Sequence, residues 1–246
     1  IGAHAFDHQM KLTAIVLPTR VSAVGDYAFY NTQAVTTLSL GGVESIGAHA
    51  FDSCYYAGEL TFPASLKSIG AYAFYCDYDS DYDWSTRTYT YTFYSKITAY
   101  HFAEGSQLET IGAYAFRYGI FESFTIPASV KTVYAGAFYG AMSLKTLNFE
   151  DGNVPLVFGA PDENESATGR VLQSTAVTSL TFPSRLVEIG ESACESSEIA
   201  SVSFGTDSKL TTIGARAFSS TDLTRVTIPG SVRNTTVIGI GDWAFS

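Results

Sequence analysis

One hexapeptide constrains this chain more than anything else in it. Ile69-Gly70-Ala71-Tyr72-Ala73-Phe74 recurs as Ile1–Phe6, Val24–Phe29, Ile46–Phe51, Ile111–Phe116 and Ile213–Phe218. Weaker copies stand at Val133–Phe138, Ile189–Cys194 and Ile240–Phe245. Phe6, Phe29, Phe51 and Phe74 are spaced 22 or 23 residues apart, Phe116 follows after 42 and Phe138 after 22. Leu172 takes the next Phe position, and Cys194, Phe218 and Phe245 continue the series. Self-similarity at a fixed period means a stack of equivalent units, none of which can bury its apolar face alone.

The rest of each unit agrees. After each Phe comes an apolar triplet at i, i+3 and i+5, such as Leu12/Ile15/Leu17, Phe121/Phe124/Ile126, Val177/Leu180/Phe182 or Leu223/Val226/Ile228. Alternation over its last two positions is a strand signal. A proline often follows, at Pro18, Pro63, Pro127, Pro183 and Pro229, and ends ladder pairing there. An apolar pair three apart comes next, such as Val21/Val24 or Leu66/Ile69. The glycine is then expected to turn the chain and to send Ala-Phe inward on a short helical turn. A period of 22–24 lies in the leucine-rich-repeat range. The expected fold is therefore an α/β repeat. It is a leucine-rich-repeat solenoid with a parallel β-sheet on the concave face and short helical turns and loops on the convex face. Residues 1–246 make one domain of about ten units, with insertions at 77–94, 151–170 and 233–237. Both ends fall inside or beside a copy, so the chain is expected to be a portion of a longer array.

Composition narrows function. Hydrophobic residues make up 46%, which excludes disorder, and charged residues only 15%. A net charge of −10 argues against nucleic acid and against anionic membrane as partners. No apolar run is long enough to cross a membrane as a helix. The cysteines, Cys54, Cys76 and Cys194, form no CxxC, so neither zinc nor a disulfide framework is indicated. Cys54 and Cys76 are one repeat apart and would need close Cα approach to bond. Cys194 replaces a core Phe and reads as a small hydrophobe.

Several constellations could carry binding. Outward strand positions are Ala14/Val16, Thr37/Ser39, Glu59/Thr61, Ala99/His101, Ser123/Thr125, Thr146/Asn148, Ser179/Thr181, Ser201/Ser203 and Arg225/Thr227. They read as a flat carpet of Ser and Thr, either a solvated face of β-formers or a hydrogen-bonding surface for a polypeptide or glycan. The residue before Ala-Phe is His4, Tyr27, His49, Tyr72 or Tyr114, then Ser192, Arg216 and Trp243, an exposed column that reads as rung-on-rung stacking. In Asp77–Asp83 alternate carboxylates resemble the start of a calcium loop, but Tyr82 and Thr88 stand where Gly and Glu belong. A solvated acidic loop without metal or cofactor is expected there.

The insertion 77–94 also holds Tyr78, Tyr82, Trp84, Tyr89, Tyr91 and Tyr94. Such rings suit a binding hot spot, or else they fold back over the flank of the stack. The candidate ligand-binding residues are Tyr78, Tyr82, Trp84, Tyr89, Tyr91, His101, Ser123 and Thr125. Catalysis is not expected. No GxSxG, HExxH, P-loop or GxGxxG occurs. His4 and His49 belong to the repeated column, and His101 has no predicted carboxylate to orient it. Sequons at Asn164 and Asn234 fall in insertions.

The pattern Leu12-Thr13-Ala14-Ile15-Val16-Leu17-Pro18, then Val21 and Val24-Gly25-Asp26-Tyr27-Ala28-Phe29, resembles the BspA-like leucine-rich-repeat family. The resemblance covers nearly the whole chain outside the insertions, and Gly-x-x-Ala-Phe is its distinctive element. It implies a surface protein of the kind found in oral and gut bacteria and some mucosal protozoa, without an enzyme site. The expected function is a cell-surface or secreted adhesion module. Its expected partner is a protein ligand such as a host matrix protein, with a glycan-binding module or a structural spacer as alternatives.

Overall fold

The computed structural model describes residues 1–94, 96–162, 164, 169–231 and 240–246. The expected insertion at 233–237 and the sequon at Asn234 lie outside the described residues, as do Glu165 and Ser166 of the other sequon. In chain order the first strands are β1 (Ala14–Val16), β2 (Ala23–Val24), β3 (Thr37–Ser39), β4 (Ser45–Ile46), β5 (Ala57–Phe62) and β6 (Ser68–Ile69). There follow β7 (Tyr78–Asp83), β8 (Thr88–Phe93), β9 (Lys96–Phe102), β10 (Thr110–Ile111), β11 (Ser123–Ile126) and β12 (Thr132–Tyr134). The last are β13 (Thr146–Phe149), β14 (Leu156–Ala160), β15 (Ser179–Phe182), β16 (Leu186–Ile189), β17 (Ser201–Phe204) and β18 (Thr212–Ile213).

The apolar triplets form the front strands, and these pair in parallel and in register, as Ile15 with Leu38 or Phe124 with Leu147. Pairing runs two by two: β1 with β3, β5 with β9, β11 with β13, β15 with β17. The expected unbroken sheet is thus corrected to four short ones. Leu223–Ile228, read as a further strand, makes no ladder. The continuous sheet is instead at the back, where β2, β4, β6, β10, β12, β14, β16 and β18 form one eight-stranded parallel stack. Apart from β14, each back strand carries the first apolar residue of a hexapeptide, and Val24, Ile46, Ile69, Ile111 and Val133 are buried on it. Two-residue strands leave no periodicity for sequence reading to find. The stretch 151–170 is not looped out as a whole, because Leu156–Ala160 supplies the back strand of its own rung, with Leu156 and Phe158 buried.

The expected helical turns are not formed; no helix occurs among the described residues. Backbone geometry gives the reason. His4, Tyr27, His49, Tyr72, Tyr114, Ser192, Arg216 and Trp243 all have φ between 54° and 61°. Four residues on, His8, Asn31, Ser53, Tyr118, Ser196 and Ser220 are left-handed again. A left-handed residue every four stops a right-handed helix. It also turns N–H groups along the stack. Tyr27 N donates to Ala48 O at 2.9 Å, His49 N to Ala71 O at 2.8 Å and Tyr72 N to Ala113 O at 2.9 Å. The turns are therefore hydrogen-bonded rung to rung as well as within themselves, where Tyr30 N donates to Tyr27 O at 3.2 Å and Tyr75 N to Tyr72 O at 3.1 Å.

The glycine does not supply the turn. Gly47, Gly70 and Gly112 are not among the positive-φ residues. They are needed because rungs touch there: a Cβ on Gly112 would stand 2.5 Å from the Gly70 carbonyl carbon.

The core is a ladder of rings. Phe6, Phe29, Phe51, Phe74, Phe116 and Phe138 stack with centroids 5.1–5.8 Å apart and planes within 10°. Leu172 and Cys194 continue it fully buried, and Phe218 stacks on Phe245 at 5.4 Å. A second column runs through His4, Tyr27, His49, Tyr72 and Tyr114 at 4.5–5.0 Å. Apart from His4 its rings are half-buried, not exposed. Cys54, Cys76 and Cys194 are all buried and none forms a disulfide, so the Cys54–Cys76 bond does not exist in this structure.

Candidate binding site

The alternation of Tyr and Asp in 78–83 and of Thr and aromatics in 88–93 makes an antiparallel hairpin with two unlike faces. Tyr78 pairs with Phe93, Ser80 with Tyr91 and Tyr82 with Tyr89 on one face. On the other, Asp79 pairs with Thr92, Asp81 with Thr90 and Asp83 with Thr88. The connection is closed by Asp83, whose carboxylate accepts from Ser85 Oγ at 2.6 Å and Ser85 N at 2.8 Å. Those bonds, the Ser85 hydroxyl first, hold the Asp83 carboxyl below the usual carboxylate range. Extended backbone sets alternate carboxylates roughly 7 Å apart, which spreads them instead of wrapping them round an ion. Among the described residues no three His, Cys, Asp or Glu are grouped to hold a metal.

The rings divide between root and tip. At the root Tyr78 meets Tyr118 edge-on at 4.8 Å, and its hydrogen bond with Tyr118, with burial second, raises its phenol above the ordinary range. Tyr94 stacks on Tyr55 at 5.0 Å and bonds to Asp79. Tyr118 belongs to a box in which the Arg117 guanidinium lies 4.6–5.8 Å from the rings of Tyr118, Tyr139, Tyr114 and Tyr75. At the tip Tyr82 packs against Trp84 and Tyr89, each at 4.8 Å. Trp84 is 85% exposed, Tyr89 60% and Tyr91 41%. Tyr78 and Tyr94 thus fold against the flank, while the tip rings do not.

The strand-face candidates form a separate group. His101 on β9 is exposed, and Glu59 of β5 lies 3.1 Å from its Nε2, so the expectation that no carboxylate orients it is corrected. Triplet reading places Thr61 opposite His101 on the neighbouring rung, and Glu59, paired with Ala99, reaches the imidazole diagonally. The pair is exposed on both sides, and among the described residues no Ser or Thr hydroxyl bonds to the imidazole. Ser123 and Thr125 face outward on β11. No hydrogen bond or ring contact joins His101, Ser123 or Thr125 to the hairpin among the described residues. Phe93 completes the aromatic face and was missed; strict period-two alternation over 88–93 was the signal for it.

A family model for the BspA type leucine rich repeat region matches residues 1–86, 86–156 and 158–246, in 6 copies. The chain belongs to the BspA-type leucine-rich-repeat family. No curated protein matches it. Among solved structures, this BspA-type chain is similar to the pneumococcal vaccine antigen PcpA, with 20% identity and a TM-score of 0.49, over 90% of this chain and 52% of that one. It is similar to a leucine-rich repeat protein from Bacteroides ovatus ATCC 8483, with 17% identity and a TM-score of 0.38, over 98% and 78% of the two chains. A leucine rich cell surface protein from Faecalibacterium prausnitzii A2-165 matches with 19% identity and a TM-score of 0.36, over 100% and 63%. The chain therefore spans about half the length of PcpA. No helix among the described residues is long and apolar enough to cross a membrane.

Proposed function

We propose that this repeat region is a non-enzymatic module that binds a protein partner at a cell surface, with the hairpin tip as its point of contact. The observation that carries this reading is the exposure of Trp84, Tyr89 and Tyr91 on a hairpin that pairs with no strand of the stack. An isolated two-stranded hairpin is marginal in water, so an aromatic face left open gains most by being covered. Tyr and Trp bury large area at low entropy cost, which is why they dominate hot spots. The net charge of −10 and the three aspartates on the opposite face favour a neutral or basic partner.

The test is a panel of extracellular matrix proteins probed with wild type and with a variant whose residues 77–94 are replaced by a short Gly-Ser linker. Wild type should bind a panel member, and the variant should keep its circular dichroism spectrum and lose that binding. Equal binding by both would move the site to the strand face, and binding by neither would favour a spacer.

A further inference from the structure

The front ladder is open between β13 and β15, and the opening is a shaped cleft of about 760 Å³, within the range of ligand sites. On the β11 side, Thr146 N and Glu150 N donate to Glu122 O and Ile126 O. On the β17 side, Thr178 O and Phe182 O accept from Ser201 N and Gly205 N. In a parallel ladder the intervening residues point the other way. The N–H and C=O groups of Leu147 and Phe149 therefore face those of Ser179 and Thr181, and no backbone hydrogen bond joins the two strands.

The cleft is walled by hydrogen-bonding side chains. Thr146 and Asn148 stand on one strand and Ser179 and Thr181 on the other, with Asn153 and Ser184 at one end. Phe149, half-buried, packs on Phe182 beneath them at 5.6 Å. The wall loop Asp151–Asn153 is fixed from below. Arg185, fully buried, donates through Nε to Glu150 O at 3.3 Å and through Nη1 to Val154 O at 3.3 Å, the residues either side of the loop. The same guanidinium reaches Val130 O at 2.6 Å and Pro127 O at 2.9 Å. The wall is thus held by the protein itself and needs no ligand to form.

Gap width and lining chemistry select the occupant. A peptide strand inserted between β13 and β15 would need them about 9.6 Å apart, twice the ~4.8 Å strand spacing. Their nearest Cα atoms come within 8 Å, which is too narrow at that point. The excess over ordinary pairing is up to ~3 Å, close to the ~2.8 Å of one O–H···O link. One hydroxyl oxygen can therefore sit between facing N–H and C=O groups. Thr, Ser and Asn side chains each both donate and accept, as a sugar hydroxyl does. The one lining cation, Lys145, is paired with Glu122 at 3.1 Å, so no free positive charge awaits an acidic group.

We propose that the cleft between β13 and β15 binds a neutral oligosaccharide, its hydroxyls bridging the two open strand edges and one ring face resting near Phe149.

The experiment uses an array of neutral and acidic glycans, then calorimetric titration of the best neutral glycan into the whole chain. Wild type should bind a neutral glycan. Asn148→Ala and Thr181→Val, both at exposed positions, should each weaken that binding at least tenfold with an unchanged circular dichroism spectrum. Thr37→Ala on β3 and replacement of the hairpin should leave it unchanged. The proposal fails if only acidic glycans or none bind, if Asn148→Ala and Thr181→Val bind as wild type, or if hairpin replacement abolishes the binding.

Discussion

Gly70 lies so close to the rung below it that a Cβ would stand 2.6 Å from the carbonyl carbon of Gly47 and 2.7 Å from Ala48 N. Real Cβ atoms do not approach backbone so closely, and backbone cannot swing aside as a side chain can. Gly70→Ala should therefore cost about 1–3 kcal/mol by overpacking, with the neighbouring back strands forced apart. A urea midpoint equal to wild type would show that the rungs have slack there.

Phe116 stands between Phe74 at 5.8 Å and Phe138 at 5.7 Å, fully buried. Tyr100, Phe121 and Phe124 close around it at 4.7, 6.2 and 4.9 Å. Phe116→Ala should destabilise by about 3–5 kcal/mol, because these neighbours are held on different strands and rungs and cannot all collapse into the hole. An unchanged melting temperature would refute the ladder as a load path.

What was legible in the sequence follows from what repeats. The Phe column, the triplet strands and the ring column all recur at one period, so their stacking could be read directly. Back strands of two residues such as Ser68–Ile69 have too few positions to show a pattern, yet they form the longest sheet. The left-handed turn was unreadable because Tyr, His, Ser, Arg and Trp all occupy the position, and none prefers φ > 0 as glycine does. In the candidate site the alternation Tyr-Asp-Ser-Asp-Tyr-Asp is a strand signal, but the same alternate carboxylates also fit the start of a calcium loop. The β13/β15 cleft was not legible at all. It depends on a ladder failing to close and on Arg185 reaching back 58 residues to Pro127.

Arg185 gives a third expectation. Its fully buried guanidinium supplies the donors for four carbonyls, and the bonds to Val130 O and Pro127 O are themselves buried. Arg185→Met keeps much of the volume and removes every donor. Each buried orphan acceptor costs about 1–3 kcal/mol, so with two of them a loss of at least ~2 kcal/mol is expected in denaturant unfolding. Arg185→Lys should not rescue it, since one ammonium cannot reproduce the planar fork. A lysine variant as stable as wild type would show that the fork geometry is unimportant.

The tyrosines predict an alkaline limit. Burial, with Asp77 beside it, pushes the Tyr75 phenol up to about 12, and burial also raises Tyr30, Tyr55 and Tyr100. The unfolded chain releases these protons near pH 10, while the folded chain holds them. Stability is therefore complete below pH 10 and is lost as pH rises from 10 toward about 12. Tyrosinate absorbance should show a fraction titrating late, and the melting temperature should fall over that window. Uniform titration near pH 10 would contradict the packing of Tyr75.

Trp84 separates stability from binding most sharply. It is 85% exposed, and its one ring contact among the described residues is with Tyr82, edge-on at 4.8 Å. Asp83 and Ser85 close the turn through their own hydrogen bonds, so the indole is not needed to form it. Trp84→Ala should change folding stability by no more than about 0.5 kcal/mol, as surface substitutions do. If the tip is the contact, the same change should remove a hot spot of about 2 kcal/mol or more, which is roughly a thirtyfold rise in Kd for the matrix protein that wild type binds. Melting and binding measured on one preparation decide it. A destabilised variant would make Trp84 part of the fold, and undiminished binding would take the contact away from the tip.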